Sequence, residues 1–202
     1  LNQPFAYLLY QRKNLSIHAS AIQIIDDAFI FIGLSGGGKS YLVSELLEYG
    51  KLITEDISRI TFQDNTPYVN PSHCLMKLDN LNHTDEDFFL FNSKLSYDNR
   101  NRSSYSVKSK FISKRPIELK ACFLLNFSNK FSIKELNEKE SFAALMQSSF
   151  KSNPIFCSKE NDIAIDEQLV NVINTSKFYI MNRKKEPNNS HKFMNFIKDN
   201  FQ

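Results

Sequence analysis

The chain has 202 residues, of which 42% are hydrophobic and 23% charged, and its formal net charge is +3. That balance fits one globular domain able to bury a real core, and so small a charge makes no case for nucleic acid. Three cysteines, Cys74, Cys122 and Cys157, are odd in number and far apart, so neither a disulfide framework nor a zinc site is expected.

In chain order, residues 4–12 read as a helix. Residues 15–25 (LSIHASAIQII) alternate as one strand, and the acidic pair Asp26–Asp27 turns it into a second strand at 28–32. Residues 39–49 carry Leu42, Val43, Leu46 and Leu47 on one helical face, with Gly50 as the expected C-cap. A short strand at 51–54 ends at Glu55–Asp56. Residues 57–62 and 66–69 form a hairpin about Asp64–Asn65. Residues 78–106 are rich in Asn, Ser and Asp and are expected as a loop or as short helices near Asp85–Phe91. Residues 117–127 (IELKACFLLNF) form a buried strand that places Cys122 in the core, and 131–136 a weaker one. Helices are expected at 138–150 and 163–174, a strand at 176–182, and a last helix that Pro187 opens. No stretch is apolar enough to span a membrane and no secretory signal is visible, so the expected location is the cytoplasm. The first residue is Leu rather than Met, which leaves room for a region ahead of it.

The chemistry concentrates between the second strand and the acid pair. Gly33 to Ser40 reads GLSGGGKS and fits G-x-x-x-x-G-K-[ST], with an apolar strand before it and a helix after it. In that setting, backbone N–H groups of Gly33, Ser35, Gly36, Gly37, Gly38 and the first helical turn through Tyr41 cradle phosphates. Lys39 reaches the β- and γ-phosphates of ATP, and the Ser40 hydroxyl reaches Mg²⁺. Glu55 and Asp56 close the strand after that helix, where strand ends point toward a ligand crevice. Acids there can hold Mg²⁺ or take a proton from an attacking hydroxyl; an exposed acidic turn is the plain alternative. An ABC-type reading of the LSGG stretch fails, because those residues belong to the phosphate loop itself.

The order "IHASAI", "IFIGLSGGGKS", "YGKLITEDISRI" resembles the catalytic domain of HPr kinase/phosphorylase, in particular its smaller relatives that include lasso-peptide precursor kinases. The resemblance is firm over residues 15–62 and coherent beyond, through "PSHCLMKL", "KRPIELKACFLL" and "KFYIMNRKKEP". It implies an α/β fold, a phosphate-loop core in a mixed, curved sheet of the kind shared with phosphoenolpyruvate carboxykinases. It also implies that Asp56 is the base, that His18 sits beside it and tunes its protonation, and that Ser40 and Glu55 serve the metal. Glu55 stands where that family usually has Asp. Residues 63–116 contain no glycine, so the family's glycine-rich signature is missing, and neither HPr as substrate nor phosphate return is expected. His73, His83 and His191 read as surface residues. Lys77, Lys108, Lys110 and Arg115 are candidates for phosphate or acidic-peptide contact, Lys77 first among them.

The expected function is phosphoryl transfer from ATP, with Mg²⁺, to a Ser or Thr hydroxyl of a protein or peptide. The acceptor is neither nucleic acid nor membrane, and homo-oligomerisation stays open. A small-metabolite kinase with the same site and a non-catalytic nucleotide sensor or ATPase module are the alternatives.

Overall fold

Alternation in two apolar strands, interrupted in the second by an irregularity between Leu119 and Ala121, sets the architecture of the computed structural model, which describes residues 2–72, 74–78, 87–94, 102–152, 158–185 and 189–201. Strand β3 (Asp27–Ile32) sends Ala28, Ile30 and Ile32 to one face and Phe29 and Phe31 to the other. Strand β10 (Ile117–Phe127) repeats this, with Leu119 and Cys122 on the first face and Ala121, Phe123 and Leu125 on the second. A sheet so built must be covered on both sides. Helices α1 (Asn2–Gln11), α3 (Glu138–Ser148) and α4 (Lys159–Thr175) bring Leu9, Leu145 and Leu169 to the first face. Helices α2 (Lys39–Leu46) and α5 (Asn189–Phe201) bring Leu42, Phe193 and Ile197 to the second. There Phe31 meets Phe193 at 5.2 Å and Phe123 meets it at 4.9 Å, both edge to face, a geometry that favours aromatic pairs beyond the area they bury.

The remaining strands of the large sheet are β1 (Ser16–Ile17), β2 (Ser20–Ile24), β4 (Lys51–Thr54), β5 (Ser58–Gln63), β6 (Thr66–Val69), β11 (Ser132–Glu135) and β12 (Lys177–Arg183). Its order is β1-β5-β6-β10-β3-β2-β4, with β12 added to β10 and β11 to β12. Residues 15–25, expected as one strand, are two: β1 pairs with β5, and after a break at His18–Ala19, β2 pairs with β3. One run thus touches both ends of the path from β5 to β3, and the sheet curls on itself around the first core. Strands β3, β10 and β12 are mutually parallel. Strand β4 is antiparallel to β2, which is antiparallel to β3. The C-terminal ends of β3, β4, β10 and β12 and the start of β2 therefore share one edge.

Several local expectations change. The turn between β2 and β3 is Ile25–Asp26, since Ile24 pairs with Asp27, and Ile25 holds a positive φ of 56°. Helix α2 stops at Leu46, with Leu47 as its C-cap. Gly50 serves another purpose: a Cβ there would fall 2.1 Å from the Gln23 carbonyl oxygen, so it lets the chain pass close to β2. The β5–β6 turn follows expectation, with Asp64 and Asn65 at φ 49° and 65°. Helix α4 begins at Lys159 rather than 163, and α3 ends at Ser148, after the Asn137–Glu140 capping box that starts it. Where the polar region 78–106 is described, only Asp87 is helical, in a 3₁₀ turn, and most of the rest is strand. It holds β8 (Phe89–Lys94) and β9 (Ser103–Val107), which join β7 (Leu75–Leu78) in a second antiparallel sheet ordered β7-β9-β8. Met76, Leu78, Phe89 and Val107 bury its inner side against the α2 face. The outer side mixes Ser104 and Ser106 with the exposed Leu75 and Leu90, so the period-2 pattern is blurred. Asp85, His73, His83, Cys157 and Pro187 lie outside the described residues. Cys122 is buried in the core, as expected, and His191 is exposed beside Tyr49.

Candidate active site

The shared edge gathers the site. Beyond β3 the chain forms the Gly33–Ser40 loop and enters α2. Gly33, Gly36 and Gly38 have positive φ values of 141°, 81° and 77°. Gly38 is the N-cap of α2, and a Cβ on it would lie 2.0 Å from the Arg183 guanidinium. Both the conformation and the space at this position exclude a side chain. Lys39 is 6% exposed and its ammonium donates to the carbonyls of Gly33 and Leu34 at 3.0 and 3.3 Å. Burial lowers its pKa, against the pull of Glu55 and then Asp56.

Beyond β4 come the two acids, one residue apart and differently placed. Glu55 is 2% exposed, and the Ser40 hydroxyl donates to its Oε1. Its Oε2 is buried and makes no hydrogen bond of normal geometry, although the Ser20 hydroxyl is close enough to help lower the carboxyl's pKa. Burial raises its pKa to about 7; the Ser40 hydrogen bond opposes this and the Asp56 charge adds to it. Asp56 is turned the other way by a tight turn in which Ile57 N–H donates to the Glu55 carbonyl at 2.8 Å while Asp56 sits at φ 66°. A three-residue turn with a positive central φ is strained. The Thr54 hydroxyl braces it by donating to the Ile57 carbonyl at 2.7 Å. The result puts the Asp56 carboxylate 3.8 Å from Lys77 Nζ and 3.9 Å from His18 Nε2.

His18 owes its place to the β1–β2 break. Its backbone N–H donates to the Ser148 carbonyl at 2.7 Å, and its ring stacks on Phe150 at 6.1 Å. Burial lowers its pKa, Lys39 lowers it further, and Asp56 raises it less. The surroundings thus favour the neutral ring.

The loop, Lys39, Ser40, Tyr41, Asp56 and His18 border one open cavity of about 420 Å³, which Lys77, Arg102 and Lys185 also line. The fold thus brings together the loop, both acids and His18, with Glu55 at the foot of the cavity through Ser40. Of the four basic candidates only Lys77 lines it. Lys110 lies over the Phe111 ring at 4.6 Å, Arg115 is 3.6 Å from Asp26, and Lys108 is not among the lining residues.

Arg183 was not singled out by its sequence, and it is the largest fully buried side chain. It ends β12 and donates to the Gly37 and Gly38 carbonyls at 2.9 and 3.0 Å, with its guanidinium 4.9 Å over the Phe127 ring. Burial lowers its pKa, with Glu45 opposing. It ties the loop to the sheet from behind. The readable signal was an Arg ending an apolar strand at the edge where ligand loops gather. Arg102 lies in the region whose pattern was blurred, and Lys185 offered no signal beyond its charge.

The donor set fits a hard dication. Ser40 Oγ and Glu55 Oε2 would offer oxygen donors, and a buried carboxyl held near neutrality would gain by meeting a cation. No group of three or more His, Cys, Asp or Glu is placed to hold a metal among the described residues, so phosphate and water oxygens would supply the rest.

No protein-family model matches the chain, and no curated protein matches it. Among solved structures, the fold is similar to that of the HPr(Ser) kinase/phosphatase from Coxiella burnetii, with a TM-score of 0.50 and 9% identity over 91% of this chain and 94% of that one. At that identity the likeness is one of fold: a mixed α/β architecture with a curled sheet. Among the described residues no helix is long and apolar enough to cross a membrane.

Proposed function

We propose that the chain is a kinase that transfers the γ-phosphoryl group of ATP to a Ser or Thr hydroxyl of a protein or peptide. One observation carries this reading: a single cavity edge joins the glycine loop to a buried acid on Ser40 and to a second acid turned toward Lys77 and His18. Loop N–H groups and Lys39 bind the phosphates. Ser40 and Glu55 hold Mg²⁺, which when bound neutralises phosphate charge. Asp56 orients the acceptor hydroxyl and takes its proton as the oxygen attacks phosphorus. The bond from phosphorus to the β–γ bridging oxygen breaks, and ADP departs with the electron pair. Lys77, Arg102 and Lys185 offset charge at the rim. Positioning and electrostatics provide most of the rate. A reducing, ATP-containing compartment is the natural setting.

The test is incubation of the protein with γ-labelled ATP and Mg²⁺ on a panel of Ser- and Thr-containing peptides. Label on peptide, lost in EDTA and in Lys39→Ala, is the expected result. Transfer to small hydroxyl compounds alone would make it a metabolite kinase. Nucleotide binding with no transfer to any acceptor would make it a sensor.

A further inference from the structure

A second cavity, of about 520 Å³, adjoins the charged one. The two share His18 and Ser35 and differ in everything else. Leu34, Leu124, Leu125 and Ile180 line the second, with Gly33 and the amides of Asn126 and Gln147, and it contains no ionisable group but His18. Leu125 is buried, Leu124 and Ile180 are partly buried, and Asn126 and Gln147 are exposed, so apolar walls lie behind an amide-lined mouth.

The loop itself has a direction. In a phosphate loop, backbone N–H groups hold the α- and β-phosphates, and the Lys reaches the β- and γ-phosphates. Here Lys39 Nζ lies against the carbonyls of Gly33 and Leu34, both of which line the apolar cavity. Ser40 and Tyr41, at the start of α2, line only the charged one. The loop residues that the Lys39 ammonium touches thus border the apolar cavity, while Lys39 itself, Ser40 and Asp56 line the charged one. His18 stands at the junction, and its backbone is pinned to Ser148 of α3, the next residue after Gln147. Whatever fills the apolar cavity lies against His18 and Ser35, the residues it shares with the charged cavity, and His18 Nε2 is 3.9 Å from Asp56.

Resting on the kinase reading above, we propose that this cavity is an acceptor subsite for an uncharged apolar side chain, such as Leu or Met, flanking the Ser or Thr of a peptide substrate. Two chemical features point to a peptide. The apolar walls suit a hydrocarbon side chain. At the mouth the Gln147 amide offers a donor and an acceptor to a crossing peptide backbone, and Asn126, whose amide N–H donates to Asn182 at 2.8 Å, keeps its carbonyl oxygen for it. A charged flanking residue would be desolvated against Leu124 and Ile180 with no opposite charge to meet it.

The experiment uses an array of Ser and Thr peptides whose flanking residues are Leu, Met, Ala, Glu or Lys. It is read twice: by transfer from γ-labelled ATP with Mg²⁺, and by retention of fluorescently tagged protein in ADP with Mg²⁺. Both readouts should favour Leu and Met over Glu by about 10-fold or more, the scale on which an apolar pocket discriminates. Gln147→Glu changes an exposed position at the mouth. It should raise the KM for Leu-flanked peptides about fivefold while ATP affinity stays within twofold. Indifference to the flank in both readouts, or a preference for charge, overturns the subsite. So does a Gln147→Glu variant that shifts ATP affinity and leaves peptide selectivity alone, since the cavity would then serve the nucleoside. Leu-selective retention without transfer to any peptide would keep the subsite and sink the kinase reading. Transfer without flank selectivity would do the reverse.

Discussion

Beneath the floor of the charged cavity, behind Ser40, Glu55 is almost fully buried and bonded to that serine; on the rim, Asp56 is about a quarter exposed and faces Lys77 and His18. Burial holds the floor acid's pKa near 7. The rim acid has cations and open space before it, at the cost of a strained φ. The two surroundings suit different work. A buried carboxyl gains by meeting a cation, and an accessible carboxylate can meet a mobile acceptor. The strain at Asp56 is what separates them, since an extended backbone would send consecutive side chains to opposite faces of a strand instead of around a turn.

The comparison is broken most severely at the rim. Asp56→Asn keeps the shape, and Asn accepts a positive φ as readily as Asp. Removing the basic oxygen should lower single-turnover transfer by about 10²–10⁴-fold while ATP affinity, measured by calorimetry, barely moves. An equal loss of affinity and rate would place Asp56 with the metal instead.

The floor is sharpened by pH. The Glu55 carboxyl has a pKa near 7 when folded, above its ordinary value of 4.5. Below about pH 4.5 both states are protonated. As pH rises toward 7, the unfolded state releases its proton first, so stability falls, by roughly 3 kcal/mol once both states are ionised. Denaturant midpoints of the nucleotide-free, metal-free protein at pH 5 and pH 8 should therefore differ more in wild type than in Glu55→Gln. Equal differences in the two proteins would show that Glu55 does not titrate this way.

Behind the floor, Arg183 should matter to fold and ligand together. Its two hydrogen bonds to the Gly37 and Gly38 carbonyls are charge-assisted. Arg183→Leu should cost about 2–3 kcal/mol in denaturant unfolding and weaken ATP binding, because the loop loses its tie to β12. Arg183→Lys should recover only part, since an ammonium cannot reproduce the planar fork. ATP affinity unchanged in Arg183→Leu would remove the tether from the binding argument.

Floor and rim were legible in the sequence because they are local: a strand, a glycine loop, a helix and a strand ending in two acids lie within one short segment. What was not legible arrives from a distance. Arg183 reaches the loop across 146 and 145 positions of chain, through the parallel pairing of β12 with β10. No local pattern announces that register. The β7-β9-β8 sheet that carries Lys77 was hidden differently, by an outward side that mixes serines with exposed leucines, so its alternation read as loop. The break at His18 needed both partners of the run, β5 and β3, to be known. Only then does one alternating segment become two strands with a side chain turned into the site.

The smallest expected effect concerns His18, which joins floor and rim. Its Nε2 is 3.9 Å from Asp56, too far for a hydrogen bond; its ring stacks on Phe150, and its backbone N–H is held by the Ser148 carbonyl. It therefore shapes the wall around Asp56 and does not itself carry the proton, and His18→Ala should slow single-turnover transfer by only about 10-fold. Its burial and the Lys39 charge lower its pKa below 6.5. The unfolded state then takes a proton more readily than the folded state. His18 costs stability as pH falls through and below 6.5, and contributes nothing above it. His18→Ala should thus flatten the acid side of the stability profile while leaving the alkaline side in shape. A loss of rate as large as that of Asp56→Asn would mean that His18 takes the proton and Asp56 orients it. An acid limb identical in wild type and His18→Ala would show that the ring is not desolvated, and the wall role would fall with it.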